Sequence, residues 1–261
     1  AGGAMARVFV AIDRALGRQV VHKVLAPESV GSLSADRFKR EVQLAARLQH
    51  PHIVPLLSAA EADGMLYYAM PYIKGESLRA RLERDRELPV SVAVKILRDV
   101  ADALVYAHGQ GIIHRDIKPE NILFSADHAV VTDFGLAKAL VTSQLTPENA
   151  TGASGLTQIG VAIGTPAYMA PEQASADPQV DQRADIYALG AVGYELLTAR
   201  PPFSGPTIQS VLAAVISAEP AEITVQRRTV PAPLAELVMS CLAKRPADRP
   251  QSARELLASL G

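Results

Sequence analysis

Asp116, Lys118 and Asn121 fall within one short stretch, His114-Arg115-Asp116-Ile117-Lys118-Pro119-Glu120-Asn121, and a second carboxylate follows in Asp133-Phe134-Gly135. The first stretch comes after a helical pattern and before an apolar run, Ile122-Leu123-Phe124, which places both carboxylates on neighbouring loops. Phosphoryl transfer needs such a set. One carboxylate orients an attacking hydroxyl and takes its proton, hard oxygen atoms hold Mg²⁺, and a cation offsets charge on the moving phosphoryl group. A single carboxylate on a polar loop is ordinarily just solvated. Two of them flanking an amide and a lysine ask for a different explanation.

The elements that must position these residues can be read from periodicity. Val8 to Ile12 and Gln19 to Leu25 read as strands joined by a turn over Asp13-Arg14-Ala15-Leu16-Gly17-Arg18. Ser34 to Leu48 reads as a helix with Ser34 as N-cap and Phe38, Val42, Ala45 and Leu48 on one face, ended by Pro51. Leu66 to Met70 reads as a strand closed by Pro71 and Gly75. Val92 to His108 carries Ile96, Val100, Leu104 and Ala107 on one stripe and stops at Gly109 and Gly111. Ile112 to Thr132 reads as strand-rich, and Asp133 to Pro178 as a long irregular stretch of the kind that is usually functional. Ala184 to Thr198 and Leu234 to Leu242 read as buried helices, and Ser252-Ala253-Arg254-Glu255 as a capping box. The order is a small strand-rich lobe, a Pro/Gly junction, and a larger helical lobe, with the cleft between them as the expected ligand site.

Composition narrows the field. The chain has 261 residues, 49% apolar and 20% charged, which is ordinary for a folded domain. A formal net charge of −1 leaves no electrostatic footprint for nucleic acid or an anionic membrane. The single cysteine, Cys241, cannot form an internal disulfide and reads as a buried structural thiol. No run approaches a membrane span, and the opening residues lack a signal-peptide pattern. Met5 is not the first residue, so the chain reads as a piece of a longer one. His50 and His52, in Gln49-His50-Pro51-His52, have no metal-ligand partners at recognisable spacing and read as turn residues.

The catalytic-loop and Mg²⁺-loop patterns, in this order and spacing, resemble those of the eukaryotic-type serine/threonine protein kinase catalytic domain, most of all its bacterial members. The resemblance covers nearly the whole chain. It implies an α+β, two-lobed protein-kinase-like fold: a small antiparallel β-sheet lobe with one helix over residues 1–70, a hinge over 71–75, and a larger, mainly helical lobe over 76–261. It implies ATP and Mg²⁺, with Mn²⁺ as an alternative ion, and transfer of the γ-phosphoryl group to Ser/Thr hydroxyls of protein substrates. Asp116 would be the catalytic base, Lys118 would steady the moving phosphate, and Asn121 and Asp133 would ligate the metal. Lys118 is the serine/threonine form of the loop.

The same resemblance assigns the nucleotide pocket. Val20-Val21-His22-Lys23 places Lys23 on the α- and β-phosphates and Val21 on the adenine, with His22 facing away as a packing residue. Glu41 would pair with Lys23. Met70 would be the gatekeeper, and the Pro71 carbonyl and Ile73 N–H would meet the adenine edge. Gly3, Val8 and Leu123 would complete the pocket. Glu76 reads equally as a ribose or substrate contact and as an acid favoured at a helix start. Gly164 to Glu172 resembles the end of an activation segment, where Thr165 would bond Asp116 and Lys118. Asp185 would brace the catalytic loop, and Glu172 and Arg249 would form a structural ion pair. Arg115 implies a pocket for a phosphate on the activation segment, with Thr157 as the autophosphorylation site. Dimerisation of the domain for trans-autophosphorylation, no nucleic acid, no membrane contact by this segment and a cytoplasmic domain in a membrane-anchored protein complete the expectation.

The chain departs from the family at the glycine-rich loop. Ala1, Gly3, Ala6 and Val8 stand on its pattern, so one glycine remains and the strand before it is expected to be missing. That leaves the next strand as an exposed edge. Two rival readings follow: a pseudokinase or fragment acting as a nucleotide-binding or scaffold module, and a small-molecule phosphotransferase of similar fold. Lys23, Glu41, Asp116, Asn121 and Asp133 speak against the first, and the Ala-Pro-Glu segment against the second.

Overall fold

A computed structural model describes residues 2–3, 6–25, 35–134 and 166–261. Its first part is one antiparallel sheet with a helix across it. The strands are β1 (Gly2–Gly3), β2 (Ala6–Asp13), β3 (Arg18–Leu25), β4 (Ser58–Ala62) and β5 (Met65–Pro71), in the spatial order β1-β2-β3-β5-β4. The β2–β3 turn forms where the sequence predicts it. Asp13 Oδ1 accepts the N–H of Ala15 at 3.1 Å, and Gly17 takes the left-handed conformation that closes the turn.

Strand β1 falls within the glycine-rich loop pattern, after Ala1, and is not the strand expected before that loop. Gly2 and Gly3 pair with Arg7 and Ala6, so β2 has a partner at its start. Further along, Val8, Phe9, Val10 and Ile12 are 38%, 51%, 56% and 68% exposed. Helix α1 (Ala35–Ala45) buries Phe38, Val42, Ala45 and the following Leu48, the face predicted from their spacing. Ser34, its expected N-cap, lies outside the described residues.

The second part is mainly helical. Helices α2 (Leu78–Asp85) and α3 (Val90–Gly109) precede the hairpin β6 (Ile122–Ser125) and β7 (His128–Val131). Later come α4 (Pro171–Ala174), α5 (Arg183–Thr198), α6 (Ile208–Ser217), α7 (Ile223–Gln226), α8 (Ala232–Cys241) and α9 (Ala253–Ser259). Every residue of α5 from Ala184 to Leu197 is buried, so it forms the centre of the large core, with α3 and α8 against it. Ser252 caps α9 by accepting the N–H of Glu255, but the reciprocal half of the expected capping box shifts by one residue: Glu255 accepts from Gln251 instead.

One backbone crossing joins the parts, and a second contact fixes the end of the hinge run to the same hairpin. His52 and Val54 bond Val131 on one side of the β6–β7 hairpin, each at 2.9 Å. On the other side Phe124 N–H donates to Glu76 at 3.0 Å, and Ser77 bridges Leu123. Gly75 lies so close to β6 that an added Cβ would stand 2.0 Å from the Phe124 carbonyl oxygen, which no side chain tolerates.

Candidate active site

The loop between α3 and β6 is built around His114, which is fully buried. Its Nε2 lies 2.8 Å from the Thr132 carbonyl, and its Nδ1 accepts the Asp116 N–H at 3.1 Å. A carbonyl can only accept, so the Nε2–H, Nδ1-acceptor tautomer satisfies both contacts. The ring stands edge-on to Phe134 at 4.6 Å. Asp185 on α5 supports the loop from beneath, accepting the N–H groups of His114 at 2.8 Å and Arg115 at 2.7 Å. Burial alone would raise the Asp185 carboxyl, but His108, His114 and the Arg115 N–H hold it below the ordinary range. These bonds support a left-handed backbone at Arg115, φ 69°, and the same value recurs at Asp133.

Three of the expected residues meet here. Lys118 Nζ reaches both oxygens of Asp116, at 2.8 and 2.7 Å. Asn121 Nδ2 donates to the Asp116 carbonyl at 2.8 Å and to Oδ2 at 2.9 Å. Those bonds use both amide hydrogens and leave Oδ1 as a hard oxygen acceptor. Burial pushes the Asp116 carboxyl up, against the opposing pull of Lys118, His114 and Asn121.

Asp133 departs from expectation in its partners. Lys23 forms its ion pair with Asp133. Among the described residues Glu41 makes no ion pair. It lines a cavity with Leu44, Ala45, Ile112, Ile113 and Arg115, so the expected Lys23–Glu41 pair is corrected to Lys23–Asp133. The reason is geometric: α1 presents Glu41 to the catalytic-loop side, while Asp133 comes within reach of the lysine. Tyr68, which the sequence analysis missed, donates its hydroxyl to Asp133 Oδ1 at 2.7 Å. Burial raises the Asp133 carboxyl, but Lys23, Tyr68 and His114 outweigh it and hold the group low. The Tyr68 hydroxyl is pushed well above its usual range by burial and by Asp133.

The sheet explains why these side chains share a face. Across β3 and β5, Val21 pairs with Met70 and Lys23 with Tyr68, while His22 pairs with Ala69 on the opposite face and packs on Tyr67. Alternation therefore puts Val21, Lys23, Tyr68 and Met70 on one side. Val21, Met70, Ile73 and Leu123 belong to one apolar cluster, which brings four of the expected adenine-lining residues together. Val8 pairs with Lys23 across β2 and β3. Pro71 ends β5 opposite Val20, and no described residue engages the Ile73 N–H. Gly3 sits in β1 at the start of β2. Glu76 forms an ion pair with Arg84 on the surface. Gly135, Thr157 and Thr165 lie outside the described residues.

The chain that returns at Pro166 is firmly held. Gln173 Nε2 donates to the Arg115 carbonyl at 2.9 Å. Arg79 joins Tyr168 to buried Glu195, another network the sequence did not reveal. Arg115 Nε is buried with no partner among the described residues, an open donor at the site expected to receive phosphate.

As a chemical assembly, the site offers a carboxylate bracketed by a lysine and an amide, and a second carboxylate beside a lysine. An apolar slot with a free backbone N–H completes it. The residues fit Mg²⁺ as far as donor chemistry goes, since Asn121 Oδ1 and the Asp133 carboxylate are both hard oxygens.

Comparison with known proteins agrees. Residues 2–259 match the family described as "Protein kinase domain". The sequence is 40% identical over 264 residues to "Serine/threonine-protein kinase PknB" of Mycobacterium leprae, covering 99% of this chain and 41% of that protein. It is 40% identical over 258 residues to "Serine/threonine-protein kinase PknD" of Mycobacterium tuberculosis, covering 97% and 37%. Against "Serine/threonine-protein kinase pkn3" of Myxococcus xanthus identity is 38%, covering 99% and 47%. The chain thus spans less than half the length of these relatives. Among solved structures, that of Rad53 residues 1–466 in complex with AMP-PNP superposes with a TM-score of 0.76 at 26% identity, covering 98% of this chain and 61% of that one.

Proposed function

The chain belongs to the protein kinase family, and on that premise we propose that it is a serine/threonine protein kinase domain, transferring the γ-phosphoryl group of ATP to protein hydroxyls. The observation that carries this is the Asp116 carboxylate held by Lys118 at both oxygens and by Asn121. In the proposed reaction a substrate hydroxyl oxygen bonds to the γ-phosphorus, the bond to the β-phosphate bridging oxygen breaks, and Asp116 takes the hydroxyl proton. Lys118 offsets charge on the moving group. Lys23 takes the α- and β-phosphates, which requires it to release Asp133. Asn121 and Asp133 would hold Mg²⁺, which supplies charge neutralisation at the phosphates. Val21, Met70, Ile73 and Leu123 would enclose the adenine, with the Pro71 carbonyl and Ile73 N–H on its edge.

Residues 1–70, 71–75 and 76–261 serve in this reading as the small lobe, hinge and large lobe. No helix among the described residues is long and apolar enough to cross a membrane. Nothing in the comparisons favours the pseudokinase reading over this one, and Lys23, Asp116, Asn121 and Asp133, which it would be expected to lack, are all present in the sequence.

Incubation with MgATP is expected to add phosphoryl mass to the intact domain. No added mass, on itself or on a general protein substrate, would overturn the assignment. We further infer trans-autophosphorylation at Thr157 between transiently paired domains, the phosphate docking on Arg115. Peptide mapping should find the phosphate there. A phosphate elsewhere, with Thr157→Ala fully active, removes this idea and leaves the kinase assignment standing.

A further inference from the structure

Outside the residues of the proposed active site, the turn after α1, helix α3 and strand β7 bring His52, Asp99 and His128 together. Their ligand atoms all lie within 4.8 Å of one another. His52 Nδ1 is 2.8 Å from the Ala129 carbonyl, so Nδ1 carries the proton and Nε2 keeps its lone pair. That lone pair lies 3.7 Å from Asp99 Oδ1, too far for a hydrogen bond and acceptor against acceptor. Asp99 Oδ2 accepts the Ala129 N–H at 2.9 Å and stands 3.9 Å from His128 Nδ1. One residue, Ala129, thus orients both half-buried groups, through its carbonyl and its N–H.

Among the described residues Asp99 has no lysine or arginine partner, although its side chain is only 12% exposed. Lys95, one turn earlier on α3, is engaged by the Asp127 carbonyl. His50, with its ring 5.7 Å from that of His52, is occupied by Asp102 at 3.4 Å and by stacking on Tyr106. His128, 62% exposed, forms the open side.

We propose that His52 Nε2, the Asp99 carboxylate and His128 Nδ1 form a site for a divalent transition metal of the zinc class. Two imidazoles and one carboxylate favour such an ion over Mg²⁺ or Ca²⁺, which prefer oxygen alone. Donors bound to zinc at about 2.0–2.1 Å sit roughly 3.4 Å apart in a tetrahedron; the histidines stand 3.7 and 3.9 Å from the two Asp99 oxygens and all ligand atoms lie within 4.8 Å, so binding requires the site to close, led by the exposed His128. A ring N–H given to a backbone carbonyl is the arrangement that orients a metal-bound histidine. The fourth position faces solvent. Bound metal would fasten the turn after α1 to α3 and to β7, the strand leading to Asp133.

The test is titration of the purified domain with Zn²⁺ against a chromophoric chelator, with Co²⁺ absorption as a second readout. Wild type is expected to take one equivalent at micromolar concentration with visible Co²⁺ bands. His128→Ala, a surface change that spares the core, should bind at least about tenfold more weakly and lose the bands. Asp133→Asn, which alters the other carboxylate site, should bind as wild type does. Equal binding by wild type and His128→Ala, loss of the metal in Asp133→Asn alone, or no binding by wild type would each overturn the proposal.

Discussion

Asp116→Asn is expected to transfer phosphoryl groups about 10²- to 10⁴-fold more slowly than the wild type while holding MgATP nearly as well. The substitution keeps the shape of the side chain and removes its capacity to take a proton. An asparagine Oδ1 still accepts from Asn121 Nδ2, now at 2.9 Å, and the backbone support from His114 is untouched. The proposed nucleotide contacts lie elsewhere, on Lys23, Asp133 and the apolar cluster around Met70. The loss should therefore fall on kcat, with KM for ATP changed little. Calorimetric titration with MgATP beside a phosphoryl-transfer assay separates the two. Retained kcat would remove Asp116 from the role of base, and affinity falling in step with rate would place it in nucleotide binding.

Glu172→Ala is expected to cost about 3–5 kcal/mol of stability, or about 6–20 °C in Tm. Arg249 has a fully buried side chain whose five N–H groups are all used. Two go to Glu172 at 2.7 Å, and three to the carbonyls of Ala243, Arg183 and Lys244 at 2.8 to 3.0 Å. Its guanidinium also lies 4.9 Å from the Tyr187 ring centre. Removing Glu172 leaves a buried cation without its counter-ion. Arg249→Lys keeps the charge but cannot reproduce the planar fork, so it should fall between wild type and Glu172→Ala. Thermal melts of the three proteins check the order; a drop of under 2 °C for Glu172→Ala would show, at about 2–4 °C per kcal/mol, that the pair contributes little.

What could be read from the sequence divides along a physical line. Asp116, Lys118 and Asn121 lie within six positions, so local chain geometry alone brings them together. The apolar stripes of α1 and α3 follow from spacing, and burial agrees at Phe38, Val42, Ile96 and Val100. Strand β4, Ser58-Ala-Ala-Glu-Ala, carries no strand signal of its own and is imposed by pairing with β5. Glu41 was placed on the right helix, but its partner depends on how that helix sits against the sheet, which no local pattern encodes. Tyr68 reads as an ordinary strand tyrosine until the fold brings Asp133 to it. His52, Asp99 and His128 sit on three separate elements, so spacing could not join them.

The backbone crossing at the β6–β7 hairpin and the hinge run of the chain have a joint mechanical consequence. A body tied to another at two separated points keeps a single easy rotation, about the line through those points. Here the line runs across the hairpin from the His52–Val131 stitch to the hinge run ending at Gly75, whose far end the Glu76–Phe124 bond fixes within the helical part. The sheet and α1 can therefore rock over the helical part like a lid on two pins, with the short run before Gly75 bending and the backbone after it fixed to β6. Because Gly75 lets two main chains touch, one pin owes its position to a missing side chain. The other owes its place to residues flanking the histidine turn. Whatever stiffens that turn shortens the arc through which Lys23 can travel.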